Sequence, residues 1–215
     1  MGFASVAALL AAGQAKADLS ESFSASYGKP TPVNVPFSTI LTLSAFNPAL
    51  GTLKSVTFTL TSDIYAQPEV FNNTGGTAPY TSASASIPVT ATGPAGLTTS
   101  LTAVASDGPG TLAPGFDILA PVSNQTVGTQ SLTSGFAAYE SGGDYNVTIS
   151  NDSATYSGQT SLASGLFFGG TATTDGSLKV TYDYSVPVPT PEPSAFIGGF
   201  GVLSTLAMLG FRRRK

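Results

Sequence analysis

Leu178-Lys-Val-Thr-Tyr-Asp-Tyr184 alternates without a break. Leu178, Val180, Tyr182 and Tyr184 fall on one side, and Lys179, Thr181 and Asp183 on the other. Side chains of an extended strand point alternately to its two faces, so this segment buries one face and wets the other. Val56-Thr-Phe-Thr-Leu60 repeats the pattern with Val56, Phe58 and Leu60 as its apolar set. Tyr145-Asn-Val-Thr-Ile149 and Phe23-Ser-Ala-Ser-Tyr27 do the same. Further candidate strands are 37–46, 83–92, 97–105, 116–121 and 162–168.

Turn signals separate these segments: Asn47-Pro48, Gly75-Gly76, Gly93-Pro94, Asp107-Gly108-Pro109-Gly110, Gly142-Gly143-Asp144 and Asp175-Gly176. Between Leu19 and Ser185 no apolar stripe of helical period persists over ten residues. The chain therefore reads as all-β, an antiparallel β-sandwich of roughly nine or ten strands, with a barrel as the other closure. An N-terminal signal helix and a single C-terminal transmembrane helix are expected in addition.

Composition agrees with a folded body. Of the 215 residues 41% are hydrophobic and only 9% charged, the opposite of a disordered chain. Between Asp18 and Asp183 eleven carboxylates face Lys29, Lys54 and Lys179, a net of −8. That balance disfavours phosphate backbones, so no nucleic-acid partner is expected. The chain has no His, Cys or Trp. Thiol chemistry, His-dependent serine triads and ordinary zinc sites lack their atoms, and no disulfide can form.

The two ends differ from the body. Met1–Asp18 reads as a secretory leader: Phe3–Ala12 is an apolar core, and Ala15 and Ala17 fit the small-x-small cleavage pattern. It lacks a basic residue before the apolar core, and an N-terminal helix packed on the body is the rival reading. At the other end, Pro187, Pro189 and Pro191 cannot donate to a ladder and close the last strand. Residues 195–211 carry no charge; as a helix they span roughly 25 Å, a little short of a bilayer core of about 30 Å. Arg212, Arg213, Arg214 and Lys215 form a basic cytoplasmic stop whose side chains snorkel to make up part of the difference. The alternative is a core helix with a basic end. The expected organisation is thus leader 1–17, sandwich 18–185, linker 186–194, membrane helix 195–211 and stop 212–215.

Pro191-Glu192-Pro193, then a Gly- and Leu-rich span, then the Arg cluster resemble the PEP-CTERM sorting signal of Gram-negative bacteria. The resemblance implies an exosortase-type processing enzyme as partner, with Pro191, Glu192 and Pro193 as the recognised box. It also implies transient residence in the inner membrane after export, cleavage near the box, and delivery to the cell surface or an exopolysaccharide matrix. Proline fixes φ and removes amide donors, which keeps such a box extended. Separately, Phe46–Leu60 and the closing Val180-Thr-Tyr-Asp-Tyr184 are similar to the choice-of-anchor E domain of bacterial surface proteins. That family brings no catalytic motif to transfer.

For chemistry, the candidate acids are Asp63, Glu69, Asp107, Asp117, Glu140, Asp144, Asp152, Asp175 and Asp183. A glycosidase needs two of them a few ångströms apart across a cleft, a pairing that spacing does not supply. Most read as turn residues, with loop calcium at Asp144, Asp152 or Asp175 as another option. No catalytic residue, metal ligand or cofactor is assigned. Tyr65, Tyr80 and Tyr139 are expected in loops, either stacked on sugars or packed at the rim. Asn72, Asn124, Asn146 and Asn151 begin Asn-x-Ser/Thr sequons, a pattern that a Ser/Thr/Asn-rich chain produces by chance. The function expected is a non-enzymatic surface or matrix protein associated with exopolysaccharide; a secreted hydrolase or a lectin-like glycan binder is the alternative.

Overall fold

In a computed structural model of the chain, which describes residues 16–161 and 165–187, the body is all-β. Ala15, the Pro191-Glu192-Pro193 box, the 195–211 span and the basic stop lie outside the described residues, as do the signal and membrane helices. Ala17 stands in the first strand. Among the described residues no helix is long and apolar enough to cross a membrane.

The strands are β1 (Lys16–Tyr27), β2 (Val33–Asn34), β3 (Phe37–Ser44), β4 (Thr52–Asn72), β5 (Ala78–Tyr80), β6 (Ser82–Thr92) and β7 (Thr98–Asp107). They continue with β8 (Gly110–Leu112), β9 (Gly115–Ile118), β10 (Val122–Leu132), β11 (Asp144–Asn151), β12 (Thr155–Gln159) and β13 (Leu166–Pro187). The larger sheet runs β1-β13-β4-β10, with β2 added to β13 and β9 to β4. The second runs β12-β6-β11-β3 with β7 on β6, and β5 and β8 pair separately. The registers resolved between these strands are antiparallel.

Alternation places the core. Val56, Phe58 and Leu60 of β4, Tyr145, Val147 and Ile149 of β11, and Leu178, Val180, Tyr182 and Tyr184 of β13 are all buried in one cluster between the sheets. In β4 the phase slips between Leu53 and Val56, where Lys54 and Ser55 are both outward. It then holds to Asn72. A strand of 21 residues is about 70 Å long when straight, more than one core can use. Its first part pairs with β10 over the main core, and Glu69–Asn72 pairs with β9 beside a second, smaller cluster of Val70, Tyr80, Ala83, Leu112 and Leu119.

One side of the sandwich closes where β10 meets β7. A Cβ on Gly128 would sit 2.9 Å from the Ser100 carbonyl, and Asn124 donates its side-chain amide to Val104 O at 2.7 Å. Two strands that would otherwise be open edges cover one another there.

The structure corrects the sequence reading in several places. Thirteen strands form among the described residues, because short β2, β5 and β8 and the polar β10 and β12 carry too few apolar residues to stand out. Asp175-Gly176 is no turn: both lie inside β13. The expected strand at 162–168 begins at Leu166, and residues 162–164 fall outside the described set. Most of the candidate acids read as turn residues, yet Asp63, Glu69, Asp107, Asp144 and Asp175 stand in strands, while Asp117 and Asp183 lie in strands as the alternation places them. Leu19–Tyr184 forms one compact unit.

Candidate functional site

The inward row of β4 carries two polar residues, and each is fully used. Asn72 donates to Gly76 O, Leu112 O and Ala113 O and accepts from the Thr74 amide and hydroxyl. It is a structural pin, and its sequon needs no other explanation. Ser62 sits in a relay. Tyr27 O–H donates to Ser62 Oγ at 2.8 Å, Ser62 meets Thr174 Oγ1 at 2.9 Å, and Thr174 donates to the Asp63 carbonyl at 2.8 Å. Because Thr174 spends its proton on that carbonyl, Ser62 is the donor to Thr174.

This relay holds β1, β4 and β13 together directly beneath Asp175. The Asp175 side chain is buried; its Oδ1 makes no hydrogen bond and is met by Lys29 Nζ at 3.6 Å. A buried carboxylate persists only when opposite charge or donors compensate it. Lys29, on the loop after β1, and Tyr65, on the outer face of β4, supply that compensation. The Tyr65 phenol is held above its ordinary value, first by the negative charge of Asp175 and further by Asp63 and a hydrogen bond to Asp175. Asp63 in turn accepts from Gln125 Nε2 at 2.7 Å. The inward Tyr27 phenol is raised chiefly by burial.

Tyr65 is 44% exposed and forms one wall of an open groove of about 310 Å³ on the larger sheet. Gln67, Ser123, Thr171 and Thr173 line it with amide and hydroxyl groups, and Ala66, Ala172, Pro121 and Val122 supply apolar surface. An aromatic flank beside short neutral hydrogen-bonding groups suits a hydroxylated ring, which has an apolar face and polar edges.

The other sequence candidates disperse. Of the tyrosines expected in loops, either stacked on sugars or packed at the rim, Tyr65 stands in β4, and Tyr80 and Tyr139 are buried: Tyr80 is in β5 and its hydroxyl donates to Asp107 at 3.2 Å. Tyr139 closes a 3-10 turn (Phe136–Tyr139) and donates to Pro94 O. Asp144 accepts from Ser44 at 3.1 Å and Asp183 from Ser55 at 2.7 Å. Among the described residues no three acidic side chains converge to hold a metal ion. Asn151 is buried rather than displayed, and Asn124 and Asn146 both hold cross-strand hydrogen bonds. Asp63 and Asp175 are brought to one place, since both act on Tyr27 and Tyr65, as Asp107 and Asp117 both act on Tyr80. Sequence spacing missed that because 112 residues separate them and the Asp-Gly pair read as a turn.

No family model matches the chain, and no curated protein matches it. Two solved structures of infectious bursal disease virus align with it. One, the Gt strain, shares 10% identity over 92% of this chain and 50% of the viral chain, with a TM-score of 0.15. The other, a T13 viral particle, shares 14% over 91% and 48%, with a TM-score of 0.16. The chain spans about half the length of the chains it matches, and overlaps this poor carry no argument.

Proposed function

We propose that this chain is an exported, non-enzymatic surface or matrix protein whose sandwich associates with extracellular polysaccharide through the Tyr65 groove. The observation that carries the binding part is that groove: an exposed phenol beside the buried Asp175, whose partner Lys29 is itself exposed, among neutral hydroxyl and amide groups. Asp63 and Asp175 are occupied by Gln125, Lys29 and Tyr65, which supports a binding role over hydrolysis. Delivery rests on the order of the tail: Pro191-Glu192-Pro193, the uncharged span, then Arg212, Arg213, Arg214 and Lys215. In this reading the basic stop holds the chain in the inner membrane until an exosortase-type enzyme acts near the box.

One experiment reads both parts. The full-length chain and its Tyr65→Ala variant are expressed in a Gram-negative host that makes exosortase and exopolysaccharide. Surface protein is then analysed by mass spectrometry and by retention on the purified polysaccharide. The expected mature chain ends near the box, and Tyr65→Ala lowers retention about three- to tenfold, the worth of one aromatic stacking contact. A mature chain still ending in Arg-Arg-Arg-Lys overturns processing. Equal retention of the variant overturns the groove.

A further inference from the structure

The outer face of the larger sheet carries a second feature, at the far end of β4. Phe71 lies directly opposite Phe116 across the β4–β9 ladder, and Glu69 opposite Ile118. Phe167 on β13 brings its ring to 6.4 Å from Phe71. Aromatic side chains in a sandwich belong between the sheets, yet Phe71, Phe116 and Phe167 are 44%, 61% and 59% exposed. With Phe168, Gly169 and Glu69 they line a groove of about 210 Å³. Inward neighbours such as Val70 already fill the small cluster behind, and these three rings lie outside it with about half of their surface open to solvent. A contiguous apolar patch of this kind marks a binding surface.

The chemistry of the lining selects the ligand. Phenyl faces are electron-rich and attract cations, but they offer no hydrogen bonds. Glu69 is the one charged side chain in the lining, and it adds negative charge at the edge; the nearby Tyr156 phenol, raised first by burial, is raised further by that carboxylate. An inorganic divalent ion needs six or more oxygen ligands, which phenylalanines do not provide. A sugar would leave most of its hydroxyls facing phenyl carbon, at a desolvation cost. A primary ammonium would give up hydration for a single acceptor. A quaternary ammonium has no N–H to satisfy, is weakly hydrated, and gains from both the ring faces and the carboxylate.

We propose that the Phe71–Phe116–Phe167 groove, edged by Glu69, is a binding site for a quaternary ammonium group. It is separate from the Tyr65 groove and independent of the sorting tail. The test titrates the full chain with tetramethylammonium chloride at constant ionic strength, followed by calorimetry and NMR. Neopentyl alcohol, of the same shape without charge, and methylammonium serve as comparators. Tetramethylammonium is expected to bind in the millimolar range, and each comparator at least about fivefold more weakly. Phe116→Ala and Phe167→Ala each weaken binding about three- to fivefold, as does Glu69→Gln, with circular dichroism unchanged. Equal binding of neopentyl alcohol overturns the proposal in favour of simple apolar contact. Tighter binding of methylammonium overturns it in favour of a plain ion pair. No saturation below roughly 50 mM overturns it outright.

Discussion

At Gly176 a methyl group would stand 2.1 Å from the Thr61 carbonyl and 2.7 Å from the Tyr27 ring. Glycine is there so that β13 can lie close against β4 and β1 beside the Asp175 cluster. Gly176→Ala is therefore expected to cost about 3 kcal/mol or more, the upper range for overpacking, because backbone cannot step aside as a side-chain tip can. Gly143→Ala, where nothing lies within 4 Å, is the control and stays within about 0.5 kcal/mol. Urea unfolding of the two variants decides it; equal midpoints would show that the strands have room to part. The same residues explain why Asp175-Gly176 misleads. In isolation the pair favours a turn, but here Asp175 meets Lys29 and Tyr65, and Gly176 supplies clearance.

Among the elements, β6 shows how a proline fits inside a sheet. One edge of β6 pairs with β7 throughout, but the other is shared: Ser82–Ser86 pairs with β12 and Thr90–Thr92 with β11. Pro88 sits in the gap between those two partners, where no strand asks for its missing N–H. Asn151, at the end of β11, fills the gap by donating its side-chain amide to Pro88 O and Ser153 O. Asn151→Ala should cost about 1–2 kcal/mol, since it removes both hydrogen bonds made by this buried amide to the part-buried Pro88 and Ser153 carbonyls. Hydrogen exchange should show the loss concentrated on the 86–90 amides and on β12. Uniform loss across both sheets would mean that Asn151 does not pin this junction. Edge protection also works at this scale: β1 turns Glu21 toward the interior, a placement that discourages a further strand from adding.

For the molecule as a whole, stability is written in its tyrosines. Tyr139 and Tyr145 meet edge to face at 5.2 Å, and Tyr182 Oη lies 2.8 Å from Ser44 O and 3.0 Å from Tyr145 Oη. Burial, the first cause in each case, raises all three phenols, Tyr182 to about 12 and the other two further. In the unfolded chain they ionise near pH 10, whereas in the folded chain they stay protonated. Folded protein thus holds more protons above pH 10, and its stability, complete below that value, falls as pH rises toward 12 and beyond. Each phenol contributes a slope of about 1.4 kcal/mol per pH unit, so the three together reach about 4. Absorbance of tyrosinate, clean in a chain without Trp, should rise together with loss of far-ultraviolet dichroism above pH 11. Early ionisation of all eight tyrosines with the dichroism intact would mean that the cluster is open to water.

Period-two alternation at Val56–Leu60, Tyr145–Ile149 and Leu178–Tyr184 sufficed to determine an all-β body and its inward faces, because side-chain alternation is a local property of extended chain. Closure as stacked sheets rather than a barrel was settled by strand pairing. Composition alone likewise removed thiol, imidazole and disulfide chemistry. The tertiary structure decided what depends on distant partners. It carried β4 and β13 far beyond their legible cores and paired polar β10 with β4 along eleven residues. It buried Tyr80 and Tyr139 while leaving Tyr65 and three phenylalanines exposed, and it drew Asp63 and Asp175 around the same tyrosines. Those outcomes turn on which strand lies alongside which, and no window of neighbouring residues contains that information.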